Sequence, residues 1–259
     1  MKGAEIWDCR YNHAEVERFM DGLMREVTGQ EPNIRRPLKA GDQSFWGIGM
    51  PSLGAYRMLP ADSPDRANVG GSGGAYWWHS PEDTIDKGDA AVLASDTQLY
   101  LSIVGRLCET DKLPFEFVTA AKDFEKLLGD LAAAAGSHFD LTPAMEAARE
   151  FEAAASVLER VAANLAGSKV ELLNEGLMAL SRIINPVLYT MAGDYDQDPA
   201  LQLPMLPGLQ AARRLPGFDS QSNDYGFLKT RLVREQNRTV SALQHASDVA
   251  TQLVRECSS

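Results

Sequence analysis

Thr142-Pro143-Ala144-Met145-Glu146-Ala147-Ala148-Arg149-Glu150-Phe151-Glu152-Ala153-Ala154-Ala155-Ser156-Val157-Leu158-Glu159-Arg160-Val161 is the stretch on which the reading of this chain turns. Thr142-Pro143 is a helix start signal, because Pro at the first helical position gives up only an N–H that has no intrahelical partner. Met145, Ala148, Phe151, Ala155, Leu158, Val161 and Leu165 then recur every three or four residues, which puts them on one face of a helix. Similar stripes lie on both sides. One helix is predicted from about Phe115 to Ala135, ending at Gly136, and another carries Leu173, Leu177, Leu180, Ile184 and Val187. A last one, from about Phe227, carries Leu232, Val240, Leu243, Ala246, Ala250 and Leu253. Narrow, sustained stripes of this kind suit helices packed side by side in an up-and-down bundle.

Upstream of about Thr84 the composition changes to Gly, Pro, Trp and Tyr with short apolar runs. A helix is predicted from His13 to about Val27, with Val16, Phe19, Met20, Leu23 and Val27 on its apolar face. On that placement His13, beside Glu15 and Glu17, reads as solvated, and His138 and His245 read as surface residues of the bundle. Leu53 to Leu59 reads as a short strand, and Asp62 to Gly74 as loop. A further helix, capped by Asp83 or Thr84, presents Val92, Leu99, Ile103 and Leu107.

Twenty-five Lys plus Arg against 36 Asp plus Glu leave the 259 residues at a net charge of −11. That balance argues against nucleic acid and against anionic membrane surfaces, both of which call for clustered cations. No run approaches the ~18 apolar residues of a membrane span. Met1 to Arg10 holds no apolar signal core, so a soluble chain without a signal peptide is expected, its compartment open. Cys9, Cys108 and Cys257 are odd in number and far apart, and read as isolated buried thiols rather than a disulfide framework.

One local cluster has chemical potential: Tyr76-Trp77-Trp78-His79-Ser80-Pro81-Glu82-Asp83-Thr84. Neutral imidazole binds zinc well, and an aromatic wall excludes water. Spacing alone makes His79 a hydrogen-bonded loop residue, since zinc takes at least three protein ligands and neither HExxH nor CxxC stands nearby.

The run Trp78-His79-Ser80-Pro81-Glu82-Asp83-Thr84-Ile85-Asp86-Lys87 nevertheless resembles the segment that carries the final zinc-ligand His of the dinuclear zinc peptidases, a family that includes bacterial aminopeptidases, glutamate carboxypeptidase II and the transferrin receptor. Upstream, Gly41-Asp42-Gln43-Ser44-Phe45 and Gly47-Ile48-Gly49-Met50-Pro51-Ser52-Leu53 resemble that family's Ser/Gly-Asp-x-x-Phe and Gly-Ile-Pro-Ala-Leu pair. Downstream, Arg182-Ile183-Ile184-Asn185-Pro186 and Pro207-Gly208-Leu209 are similar to its dimerisation domain, where an Arg-containing helix ends at Asp-Pro and a Pro-Gly-Ile segment precedes the last helix.

The resemblance implies an α/β plus all-α chain, mainly α overall. Residues 1–112 would be the last strands and helices of a peptidase α/β domain, and 113–259 a helical dimerisation domain. It implies His79 as a zinc ligand and Asp42, Ser44, Arg57 and Trp78 as walls of a peptide-substrate pocket. Nothing before Lys39 resembles the family's His-x-Asp, its Glu-Glu pair or its later Asp. The chain therefore reads as the C-terminal portion of a zinc exopeptidase, aminopeptidase or carboxypeptidase, inactive alone and without tightly bound zinc of its own. Its expected partners are a second copy, through the helical domain, or the missing N-terminal catalytic part. The alternatives are a non-catalytic dimerisation or binding module related to the transferrin receptor, and a helical structural protein that matches by coincidence.

Overall fold

A computed structural model describes residues 1–259 except 38–44, 68–71, 194–195, 197 and 199–202. The described chain is mainly helical with one small mixed sheet, and it divides into two compact units. The first comprises Met1–Asn12, Val16–Arg36 and Leu53–Thr110. The second comprises Asp111–Ser259 together with His13–Glu15 and the described residues of Pro37–Ser52.

In the first unit β1 (Ile6–Cys9) is the central strand of three. It pairs in parallel with β2 (Asn33–Ile34), with Asp8 opposite Asn33. It pairs antiparallel with β3 (Tyr56–Met58), with Trp7 opposite Arg57. Alternation along β1 sends Trp7 and Cys9 into a core with Met20, Leu23 and Met24 of α1 (Glu17–Thr28) and Leu99 and Ile103 of α2 (Ala90–Glu109). Asp8 takes the opposite face, buried, where its carboxylate accepts from Arg10 Nε at 2.7 Å and Arg35 Nε at 3.0 Å. Two cations at one carboxylate offset the cost of removing it from water.

Helix α1 stops at Gly29, whose φ of +67° suits a residue without Cβ and whose N–H donates to Arg25 O at 3.0 Å. The start of α2 differs from the sequence reading. Asp83 and Thr84 precede a separate 3-10 turn, Ile85–Lys87, and the cap is Asp89. Its Oδ1 accepts from Ala91 N at 2.8 Å and Val92 N at 3.0 Å. Strand β1 is absent from the sequence reading, and the strand placed at Leu53 to Leu59 is shorter, Tyr56–Met58.

The second unit is built on α3 (Val118–Ala135), α4 (Thr142–Ala163), α5 (Val170–Tyr189) and α6 (Asn223–Ser258). Helix α4 packs on both α3 and α6, and α5 packs on α6. The predicted stripes supply the interior: Ala148, Phe151, Ala155 and Leu158 of α4, Leu173, Leu177, Leu180 and Ile184 of α5, and Leu232, Leu243, Ala246 and Ala250 of α6 are buried. Ser222 caps α6, its Oγ accepting from Tyr225 N at 3.2 Å. Pro186 sits in the last turns of α5, and its carbonyl accepts from Arg238 Nη2 at 3.1 Å.

Candidate functional site

Trp77 anchors the Tyr76–Lys87 segment. It is buried against Leu59 and Ala75, with Met1 packed on the same cluster. The chain then turns repeatedly. Ser80 Oγ donates to Trp77 O at 2.7 Å and accepts from Glu82 N at 3.2 Å, and Asp83 N donates to Ser80 O at 3.1 Å. Between anchor and turn, His79 is held at φ +60°, the left-handed region that few residues other than Gly occupy. Its ring stacks on Trp78 with centroids 3.6 Å apart and planes 18° from parallel. The imidazole is exposed and makes no hydrogen bond among the described residues, so both ring nitrogens are open. Thr84 Oγ1 and Lys87 Nζ donate to the Asp86 carboxylate; the lysine above all, then the threonine, holds that carboxyl down to about 2.

A cleft of about 490 Å³ opens beside this segment, lined by Arg57, Trp77, Trp78, Thr84, Lys87 and Asp96 among others. The structure thus brings Arg57 and Trp78 to one cavity. His79 is not among its lining residues. Arg57 is committed: its Nε lies 2.9 Å from Asp96 Oδ1, it donates to Ser95 Oγ, and its guanidinium carbon sits 4.5 Å from the centre of the Trp7 ring. The Arg57–Asp96 pair meets an ion-pair distance without good hydrogen-bond alignment, so it acts by charge rather than by a directed bond. Tyr56, on the same wall, has its phenol pushed up to about 12, mainly by burial. Asp42 and Ser44 lie outside the described residues.

A second polar constellation lies inside the second unit, and it overturns the solvated reading of His13. His13 and Glu15 precede the helix rather than ride on it, and both are buried. The His13 ring stacks on Tyr189, centroids 4.1 Å apart, and meets Trp46 edge-on at 5.2 Å. Its Nδ1 accepts from Ser52 N at 3.1 Å. Glu15 Oε1 accepts from Asn185 Nδ2 at 2.7 Å and from Ser181 Oγ at 3.1 Å. Next to it Gly49, at φ +78°, lies so close to α5 that a Cβ there would stand 2.3 Å from Arg182 Cα. This explains Gly49 between Ile48 and Met50: no side chain fits. The constellation ties residues 13–15 and 46–52 onto α5, and sequence windows around His13 contain none of its partners. His138 and His245 are half-buried and exposed, respectively.

The cysteines differ from the isolated-buried reading at one position. Cys9 and Cys257 are buried, whereas Cys108 is exposed on α2.

Zinc takes at least three protein ligands in a structural or catalytic centre. Among the described residues no three His, Cys, Asp or Glu side chains converge on a common point. The single open imidazole of His79 does not fit a complete zinc centre, and no catalytic step through a metal follows from these residues alone. No described helix is long and apolar enough to cross a membrane. A comparison with protein-family models matches none of them, and a comparison with curated proteins finds no match.

Proposed function

We propose that this chain is the C-terminal portion of a zinc-dependent exopeptidase, in which His79 is one metal ligand, Trp78 and Arg57 belong to the substrate-pocket wall, and the helices of the second unit serve dimerisation. The remaining metal donors come from polypeptide outside this chain. The observation that carries the reading is the conformation of His79. A side chain held in the left-handed region costs of order 1–3 kcal/mol and persists where its surroundings over-determine it. Here the surroundings are the buried Trp77 on one side and the Ser80 turn on the other, and the result is an exposed imidazole with both nitrogens open, braced by Trp78. In the joined protein the zinc pair would activate water for attack on a peptide carbonyl, while this chain contributes position: an oriented imidazole beside a cleft carrying an indole wall and a guanidinium.

The experiment is to read the gene upstream of Met1, join any open frame to this chain, and assay zinc-dependent exopeptidase activity with and without His79→Ala. An upstream His-x-Asp and Glu-Glu, with activity abolished by His79→Ala, is the expected result. An upstream stop codon, or sub-micromolar binding of two zinc ions to this chain alone, overturns it. The stop codon would favour a non-catalytic dimerisation or binding module.

A further inference from the structure

The exposed side of α2 is unlike a solvated helix face. Leu93, Leu101 and Val104 are 66%, 68% and 54% exposed, and Ala90, Ala94, Thr97 and Cys108 are exposed along the same side. The charges of this 20-residue helix lie elsewhere: Asp96 pairs with Arg57, Arg106 with Glu26, and Glu109 closes the last turn. Thr97 Oγ1 donates to Leu93 O at 2.8 Å, so its hydroxyl is satisfied within the helix.

The spacing is specific. Positions 90, 94, 97, 101, 104 and 108 alternate steps of four and three, the pattern of a helix that seats its residues between those of a second helix. In an antiparallel pair the two alternating position types face each other. Laid against itself in that register, α2 sets Ala94 opposite Val104, Ala90 opposite Cys108, and Thr97 opposite Leu101. Each larger residue meets a smaller one, which is what an isologous two-fold interface requires of a single surface. The six positions of the stripe carry no charged side chain, so two copies of net charge −11 meet there without direct like-charge contacts.

We propose that two copies of this chain associate through an antiparallel α2–α2 contact about a two-fold axis near residue 99. The surface belongs to the first unit, and the proposal does not depend on the reading of His79. A single helix pair is at the small end of specific interfaces, so the dimer is a reversible one.

Sedimentation velocity of the full chain between about 1 and about 100 micromolar tests it. The expected result is a concentration-dependent association step, from monomer to dimer or from a second-unit dimer to larger species, whose dissociation constant rises at least about tenfold with Leu101→Lys, the circular dichroism being unchanged because Leu101 is exposed. Thr97→Cys combined with Leu101→Cys should give a disulfide-linked dimer on oxidation. The natural Cys108 should not, because two copies 18 residues apart in this register lie about 27 Å apart along the axis. A monomer over the whole range, a dimer indifferent to Leu101→Lys, or a Cys108–Cys108 link would each overturn the proposal.

Discussion

Asn185 Nδ2 donates to Glu15 Oε1 at 2.7 Å, joining two buried residues 170 positions apart in the sequence. A carboxylate at 185 would face the Glu15 carboxylate; the amide instead supplies a donor. Asn185→Asp is therefore expected to destabilise the chain by about 3–5 kcal/mol at neutral pH. One of the two acids would then hold its proton more tightly folded than unfolded. Its contribution to stability is present below the unfolded carboxyl range and is lost as pH rises. Urea denaturation at pH 4.5 and pH 7.5 checks this: the deficit against the parent chain should be larger at 7.5, and equal deficits would remove the electrostatic account.

Two glycines make a matched pair. Gly49→Ala places a methyl within 2.3 Å of the α5 backbone at a φ of +78°, and should cost at least about 2 kcal/mol. Gly22, inside α1 with nothing within 4 Å of an added Cβ, should gain about 0.5–1 kcal/mol on conversion to Ala. Denaturation midpoints of the two variants should move in opposite directions.

Thiol labelling should separate the cysteines. Burial above all, with the neighbouring Asp8 and Asp21 charges, pushes the Cys9 thiol up to about 11, and burial pushes Cys257 up as well. At pH 8 and sub-micromolar chain, one thiol, Cys108, should react quickly with a disulfide reagent, and all three only after denaturation. Because the folded Cys9 holds its proton more tightly than the unfolded one, its stabilisation is complete below pH 9 and declines between about 9 and about 11.

Glu125 of α3 is raised by burial, and next by the neighbouring Glu152 carboxyl of α4. A raised carboxyl stabilises below its unfolded value and ceases to do so as pH rises through the folded one. Glu152→Gln should accordingly raise the melting temperature more at pH 8 than at pH 5. A pH-independent change would locate the effect in packing instead.

The helices of the second unit are legible from sequence because each depends on a local period: Phe151, Leu180 and Leu243 fall inward wherever the neighbouring turn places them. The boundaries are less so. Asp83, Thr84 and Asp89 are all acceptable caps by composition, and only the backbone turn at Ile85–Lys87 selects Asp89. Strand β1 escapes because Ile6-Trp7-Asp8-Cys9 places a charge in the middle of a four-residue run, and the arginines that make Asp8 tolerable are outside it. His13 and Glu15 are misread for the same reason on a larger scale, their partners being Ser181, Asn185 and Tyr189. At the candidate site, Trp78 stands in the aromatic-His run and Arg57 just beyond the Gly49-Met50-Pro51-Ser52 stretch, and both line one cleft, but the Asp96 that holds Arg57 comes from a helix with no motif of its own.

The joining of Glu15 to Asn185 also sets an order of events during synthesis. Residues 13–15 leave the ribosome some 170 residues before the helix that receives them. At roughly 5–20 residues per second, that is on the order of 10–30 seconds with a carboxylate, an imidazole and the Trp46 indole awaiting their binding surface. Closing so long a loop belongs to the late steps of folding. The nascent chain is thus exposed to misassociation at its N-terminal segment until α5 has emerged, and a piece beginning at Asp111 would lack the Glu15 carboxylate that Asn185 bonds and the His13 ring that Tyr189 stacks on.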